Sequence, residues 1–282
     1  MVNMKNILIP TDFSENAWNA LLYGISFFKK THCTFHIVHV NSVTSITGGE
    51  AALAITPEIL DGTIGKESKQ QLEELLLKIE QLPLNPKHEF KTLALYGFLT
   101  DHLKIEVKKK EIDLIIMGTK GSTGLKAVSL GSNTGNVITK VPCTVLAVPE
   151  QATYLKIKEI GFPSDFQLQY RPKVLDTIKE ILLMKNAELR LLFVSIKGEE
   201  MSSLQLKNKT FLMDYFKALT PFFHLITGKK IDEAIQCFTE SRDLDMLIMV
   251  AKNLNFLERI LFRPTVEKIS YHTKIPFLVI HE

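Results

Sequence analysis

The chain has 282 residues, 45% of them hydrophobic and 23% charged, which is ordinary globular composition and enough length for two domains. Its net charge of +3 is too mild to call for nucleic acid or an acidic surface as partner. Cys33, Cys143 and Cys237 stand apart from one another without C-x-x-C spacing, which excludes a disulfide framework or a zinc site and suits a reducing cytosol. Each reads as a small core residue. No apolar run reaches the length of a membrane span, and the run after Lys5 is cut at Asp12, far short of a signal peptide. These features predict a cytoplasmic protein that neither enters a membrane nor binds nucleic acid.

In chain order, residues 5–10 form a short apolar strand, left through Pro10, Thr11, Asp12, Phe13 and Ser14. Ser14 caps a helix with Ala17, Leu21, Leu22 and Ile25 at helical spacing. Residues 34–40 are a second strand, and 41–57 a loop long enough to cover a site. Residues 58–81 give a helix with Leu72, Leu75, Leu76, Ile79 and Leu82 on one side, and 89–95 a third strand. Tyr96-Gly97 turns into a helix with Leu99, Leu103 and Val107 four apart. A fourth strand (113–117), a glycine-bearing loop, a short helix with Val137 and Ile138, and a fifth strand (143–148) complete the first half. Alternating strands and helices predict an α/β fold with a mostly parallel sheet between helices.

The loop after the fourth strand carries the chemistry. Gly118 is followed after two residues by Gly121, and after nine more by Gly131-Ser132. Phosphate needs backbone N–H groups at close range, no Cβ in the way, and the positive end of a helix dipole behind it. Ser132 is predicted at the helix N-cap. Any one of these glycines alone is a tight-turn residue. The loop fits neither the P-loop nor G-x-G-x-x-G. It does match in full the G-x2-G-x9-G-S signature of the universal stress protein family, which the chain resembles.

The second half repeats the first. The segment from Lys156 to Phe166 echoes Lys5 to Phe13, the segment from Asp245 to Met249 echoes Asp113 to Met117, and that from Lys274 to Ile280 echoes Lys140 to Leu146. Two tandem domains are expected, 1–150 and 151–282. Aligning Asp245 with Asp113 puts Val250 on Gly118, Asn253 on Gly121, Arg263 on Gly131 and Pro264 on Ser132. Side chains then fill the places where backbone approached phosphate, and Pro264 removes a donor. Lys252, Arg259 and Arg263 keep this loop basic, as a solvated charged face.

The resemblance to a tandem universal stress protein implies two Rossmann-like domains of five parallel strands, ordered 3-2-1-4-5. Asp12 and Gly118 then end the strands that flank the topological switch point, where open α/β sheets bind ligands. Family members with this signature bind ATP. By motif position, Asp12 would contact the adenosine, Val40 would present backbone to adenine, Gly118 would lie by the ribose, and Gly121, Gly131 and Ser132 would hold phosphates. Lys120 and Lys126 lie outside the signature and read as solvated. Any accompanying Mg2+ or Mn2+ would be held by phosphate oxygens and water, since no carboxylate cluster marks a protein-made metal site. His36, His39 and Trp18 read as packed or hydrogen-bonded residues rather than metal ligands, catalysts or a nucleotide stack.

The resemblance favours a binding and signalling module with an adenine nucleotide in the first half and an unidentified protein partner. It also implies an intramolecular pseudo-dimer of the two halves through their fifth strands; a homodimer of the whole chain is compatible with it. Catalysis is not expected beyond slow ATP hydrolysis. Two alternatives are a nucleotide-dependent enzyme, against which the absence of His-x-Gly-His and Ser-Gly-Gly-x-Asp-Ser motifs counts, and a ligand-free structural pseudo-dimer, against which the intact signature counts.

Overall fold

β1 (Lys5–Pro10) is the strand on which the first sheet is built, because it is apolar enough to be covered on both faces. Ile7, Leu8 and Ile9 are wholly buried. The computed structural model describes residues 4–41, 65–83, 85–119, 131–196, 198–252, 260 and 274–282. β1 pairs in parallel with β2 (Cys33–Asn41) on one side and β4 (Leu114–Gly118) on the other, Ile7 lying opposite Phe35 and Leu114. β3 (His88–Tyr96) extends β2 in parallel, and β5 (Thr144–Val148) completes the order β3-β2-β1-β4-β5. This is the expected α/β architecture.

Among the described residues, four helices cover that sheet: α1 (Glu15–Phe27), α2 (Gly65–Glu80), α3 (Leu99–Lys109) and α4 (Ser132–Lys140). α1 buries Ala17, Ala20, Leu21 and Gly24. Gly24 is needed there: a Cβ at that position would come within 2.7 Å of Ile116 Cδ1, so glycine lets the helix lie close on β4. α2 carries Leu72 and Ile79 inward, and α3 buries Leu103. Each wholly buried aliphatic side chain of this kind contributes about 1.5–3 kcal/mol.

The chain divides into two compact units, the main change-over falling within β5. The second repeats the pattern with β6 (Glu159–Pro163), α5 (Pro172–Lys185), β7 (Glu188–Ile196), α6 (Ser203–Tyr215), β8 (Phe222–Gly228), α7 (Ile231–Ser241), β9 (Met246–Val250) and β10 (Phe277–Ile280). Its strands run β8-β7-β6-β9-β10 with parallel pairing, the same order as the first.

Two expectations change. Ser132 is the first residue of α4 rather than its N-cap, so its own N–H belongs to the unpaired first turn. Cys237 is exposed on α7 and is not a core residue, whereas burial pushes the Cys33 and Cys143 thiols up to about 12, as unreactive core groups. Gly121, Lys120, Lys126, the loop at 42–57, the expected helix start at 58–64, and Asn253, Arg259, Arg263 and Pro264 lie outside the described residues.

Candidate functional site

At the carboxyl end of β1 the chain makes one further ladder bond, from Thr11 N–H to the Val38 carbonyl at 2.9 Å, and then turns away. Phe13 takes a left-handed φ of 63°, an uncommon conformation for a bulky residue that its surroundings must hold. Two sets of bonds do so. Asp12 Oδ1 accepts from Ser14 N–H at 3.1 Å and from Ser14 Oγ at 2.6 Å. Ser14 Oγ in turn accepts from Ala17 N–H at 3.2 Å, the N-cap bond of α1. The turn and the helix start are therefore one hydrogen-bonded piece.

The second set comes from β2. His39 Nδ1 lies 2.8 Å from the Thr11 carbonyl oxygen, and its Nε2 lies 3.2 Å from Asn41 Oδ1. The imidazole packs on the Phe13 ring, with centroids 4.5 Å apart. Asn41 Nδ2 donates to Ser68 Oγ at 2.8 Å, and Ser68 is buried in the first turn of α2. Val40 lies between His39 and Asn41 on β2. Along β2, Cys33 and Asn41 bond toward β3, while the Val38 carbonyl bonds toward β1. Alternation then turns the Val40 backbone to the β1 side, beyond the point where β1 has left the sheet.

Gly118 ends β4 beside this turn. A Cβ there would fall 2.5 Å from Asn16 Nδ2 and 3.1 Å from the Asn16 carbonyl oxygen. Close approach of α1 thus accounts for the glycine, since Asn16 is buried in the first turn of that helix. The Gly118 carbonyl accepts from Thr134 Oγ1 at 2.6 Å, a buried bond to the first turn of α4. Through Asn16 and Thr134, Gly118 joins the start of α1 to the start of α4. Gly131 is half-buried and Ser132 exposed at the open end of α4, where unpaired N–H groups and the helix dipole favour an anion.

The structure thus brings Asp12, Val40, Gly118, Gly131 and Ser132 to the carboxyl ends of β1, β2 and β4, on the side where connections diverge. Sequence reasoning missed Asn16, Asn41, Ser68 and Thr134, which carry no spacing signal of their own. It did expect both His36 and His39 to be packed or hydrogen-bonded, and His39 is the one that is hydrogen-bonded. His36 is 6% exposed and makes no side-chain hydrogen bond among the described residues. Burial holds its imidazole below the ordinary histidine range, with Lys110 and Lys91 pushing the same way against Glu106 and Glu89. Trp18 packs under the Lys78 ammonium, 4.1 Å from its ring centroid. Among the described residues, no group of three or more His, Cys, Asp or Glu is placed to hold a metal ion.

The corresponding end of the second unit is built differently. Ser164 N–H bonds the Leu192 carbonyl as Thr11 bonds Val38, and Phe166 repeats the left-handed turn with φ 53°. Here Phe166 is wholly buried, and α6 reaches over the turn: Gln205 Nε2 donates to the Asp165 carbonyl and Asn208 Nδ2 to that of Phe166, both at 2.8 Å. Val250 ends β9 where Gly118 ends β4. Lys252 Nζ, expected to be solvated, is tied instead to the Gln169 carbonyl at 2.7 Å and to Glu282 Oε1 at 3.0 Å.

Comparison with known proteins gives a consistent picture. The sequence model of the Universal stress protein family matches residues 3–149. The chain is 24% identical over 299 aligned positions to universal stress protein Slr1230 of Synechocystis, covering 98% of this chain and 99% of that protein. It is 30% identical over 146 residues to universal stress protein MJ0531 of Methanocaldococcus jannaschii, covering 51% of this chain and 81% of the relative. Among solved structures, a universal stress protein from Archaeoglobus fulgidus superposes with a TM-score of 0.71 at 17% identity, covering 98% of each chain. That likeness is one of fold.

Proposed function

The chain belongs to the universal stress protein family, and on that premise we propose that it binds ATP in its first unit as a binding and signalling module of a stress response. One observation carries this reading: the Asp12 turn, the outward backbone of Val40 and the open first turn of α4 converge at the end of one sheet, joined through Gly118. The donor set fits a nucleotide. The backbone at Val40 offers a donor and an acceptor for a planar base. Asp12 is an acceptor for sugar hydroxyls, and Gly131 with Ser132 offers N–H groups and a hydroxyl to phosphate. A divalent ion entering with the nucleotide would sit on phosphate oxygens and water.

In the second unit Phe166 is wholly buried and Gln205 and Asn208 bond the carbonyls of its turn, whereas among the described residues the turn of the first unit is half-buried and has no such bonds from the helix. The proposal is therefore one nucleotide per chain. Calorimetric titration of the full chain with ATP tests it, alongside Gly131→Arg, which sets a long side chain at the mouth of α4. Wild type should titrate with one site and the variant should lose at least tenfold in affinity, about 1.4 kcal/mol. Equal affinity in both would remove the α4 terminus from the site.

Among the described residues, no helix is long and apolar enough to cross a membrane. The protein partner is proposed to read the nucleotide-bound state of the first unit.

A further inference from the structure

His39 offers a hydrogen bond that packing alone does not require. Its Nδ1 faces the Thr11 carbonyl oxygen at 2.8 Å, and a carbonyl oxygen only accepts. The ring must therefore carry a proton on Nδ1, whether neutral or cationic. The bond falls on the residue just before Asp12, at the turn where Phe13 adopts its left-handed φ. We propose that His39 is a positioning residue for nucleotide binding: its Nδ1–H holds the Thr11 carbonyl, and with it the orientation of Asp12 and the entrance beside Val40. This rests on the nucleotide reading of the site.

The second unit separates the ring from the hydrogen bond. The Thr11–Val38 and Ser164–Leu192 bonds put Phe193 in the place of His39. Phe193 keeps the ring contact, its centroid 5.9 Å from that of Phe166, but has no donor. There the turn carbonyls take their hydrogen bonds from Gln205 and Asn208 on α6 instead. In the second unit the donors come from α6 and Phe166 is wholly buried; in the first the donor comes from β2, beneath the turn, and Phe13 is half-buried. Asn41 and Ser68 steady the far side of the ring: with its proton on Nδ1, the neutral ring presents Nε2 as an acceptor. The Asn41 amide meets it by turning its NH2 to Nε2 and its oxygen to the buried Ser68 hydroxyl, the exchange of amide oxygen and nitrogen that this geometry allows. This links the turn of β1 to the first turn of α2.

Two substitutions divide the roles in the full chain. His39→Phe copies the second unit, keeping a ring and removing the donor; His39→Asn keeps a side-chain N–H near the position of Nδ1 and removes the ring. ATP affinity by calorimetry should fall about tenfold in His39→Phe, the worth of one well-placed hydrogen bond, and stay within about threefold of wild type in His39→Asn. Binding by His39→Phe equal to wild type, or a loss in His39→Asn as large as in His39→Phe, overturns the proposal while wild-type binding still supports the nucleotide site. A wild type that binds no ATP overturns the nucleotide reading and the positioning role together. Nitrogen-15 NMR of the wild-type imidazole gives a second readout that needs neither ligand nor variant. A proton on Nδ1 is expected, and a ring protonated at Nε2 alone would sink the proposal.

Discussion

Among the described residues, three histidines are held below the ordinary range chiefly by burial: His36, His88 and His224. Each is easier to protonate in the unfolded chain than in the folded one. On acidification the unfolded state therefore takes up more protons, and folding stability falls as pH drops through the ordinary value of 6.5. Above that value the effect is absent. His36 should dominate because it is the most buried and its ring makes no side-chain hydrogen bond among the described residues. Urea unfolding at about pH 7.5 and about pH 5.5, a window above carboxylate titration, should show a lower midpoint in acid. His36→Leu should reduce that difference. Equal midpoints for wild type at the two pH values would mean that burial does not govern these rings. At this scale the sequence was partly legible. The Asp-Phe turn and the G-S pair announced themselves through spacing, and Gly118 stood out as a glycine at a strand end. That Asn16 fills the space beside Gly118, and that Thr134 holds its carbonyl, depends on how α1 and α4 pack on β4, contacts that lie 102 and 16 positions apart in the chain and have no local pattern.

At the scale of elements, strands were more legible than helix starts. β1 occupies residues 5–10 as expected, because an apolar run bounded by Lys5 and the Pro10-Thr11-Asp12 turn has one reading. β2 and β3 each extend past the expected ends by one residue on either side, since parallel pairing carries the ladder beyond the apolar run. α4 starts at Ser132 itself, because a serine beside a glycine can stand at the cap or just inside it. α1 is the informative helix. Its cap is read directly from Ser14, but the sequence did not show that Ser14 also donates to Asp12. Ser14→Ala should therefore do two things. Loss of the cap should cost about 1 kcal/mol of stability, read by denaturant unfolding. Loss of the bond to Asp12 should also weaken ATP binding, measured well below the unfolding transition. A variant destabilised by that amount but binding ATP as tightly as wild type would separate the cap from the site and leave Asp12 held by other contacts.

On the scale of the whole molecule, two copies of one fold have kept the same strand order and the same left-handed turn after the first strand, at Phe13 and Phe166. They differ in what stands at the ends of the strands. The first leaves its phenylalanine half-buried and starts α4 at an exposed Ser132; the second buries its phenylalanine, puts Val250 at the end of β9 and ties Lys252 to Glu282. Such a division suits a protein that reads a nucleotide rather than consumes one. Turnover of ATP needs an acceptor or water in line with the γ-phosphate and charge supplied where the transition state develops it, often by arginine. Residues 1–150 contain no arginine, and Asp12, bonded to both donors of Ser14, belongs to the turn assigned to the adenosine end. In the proposed binding mode, backbone N–H groups at α4 would stabilise phosphate in the ground state and the transition state about equally, which raises affinity without raising rate. ATP hydrolysis by the full chain, assayed with magnesium and with manganese, is thus expected to run well below about 1 s⁻¹, the lower end of ordinary phosphoryl-transfer rates. Asp12→Ala and Gly131→Arg serve as controls for contaminating activity. Several turnovers per second in wild type, abolished in both variants, would make the first unit an ATPase.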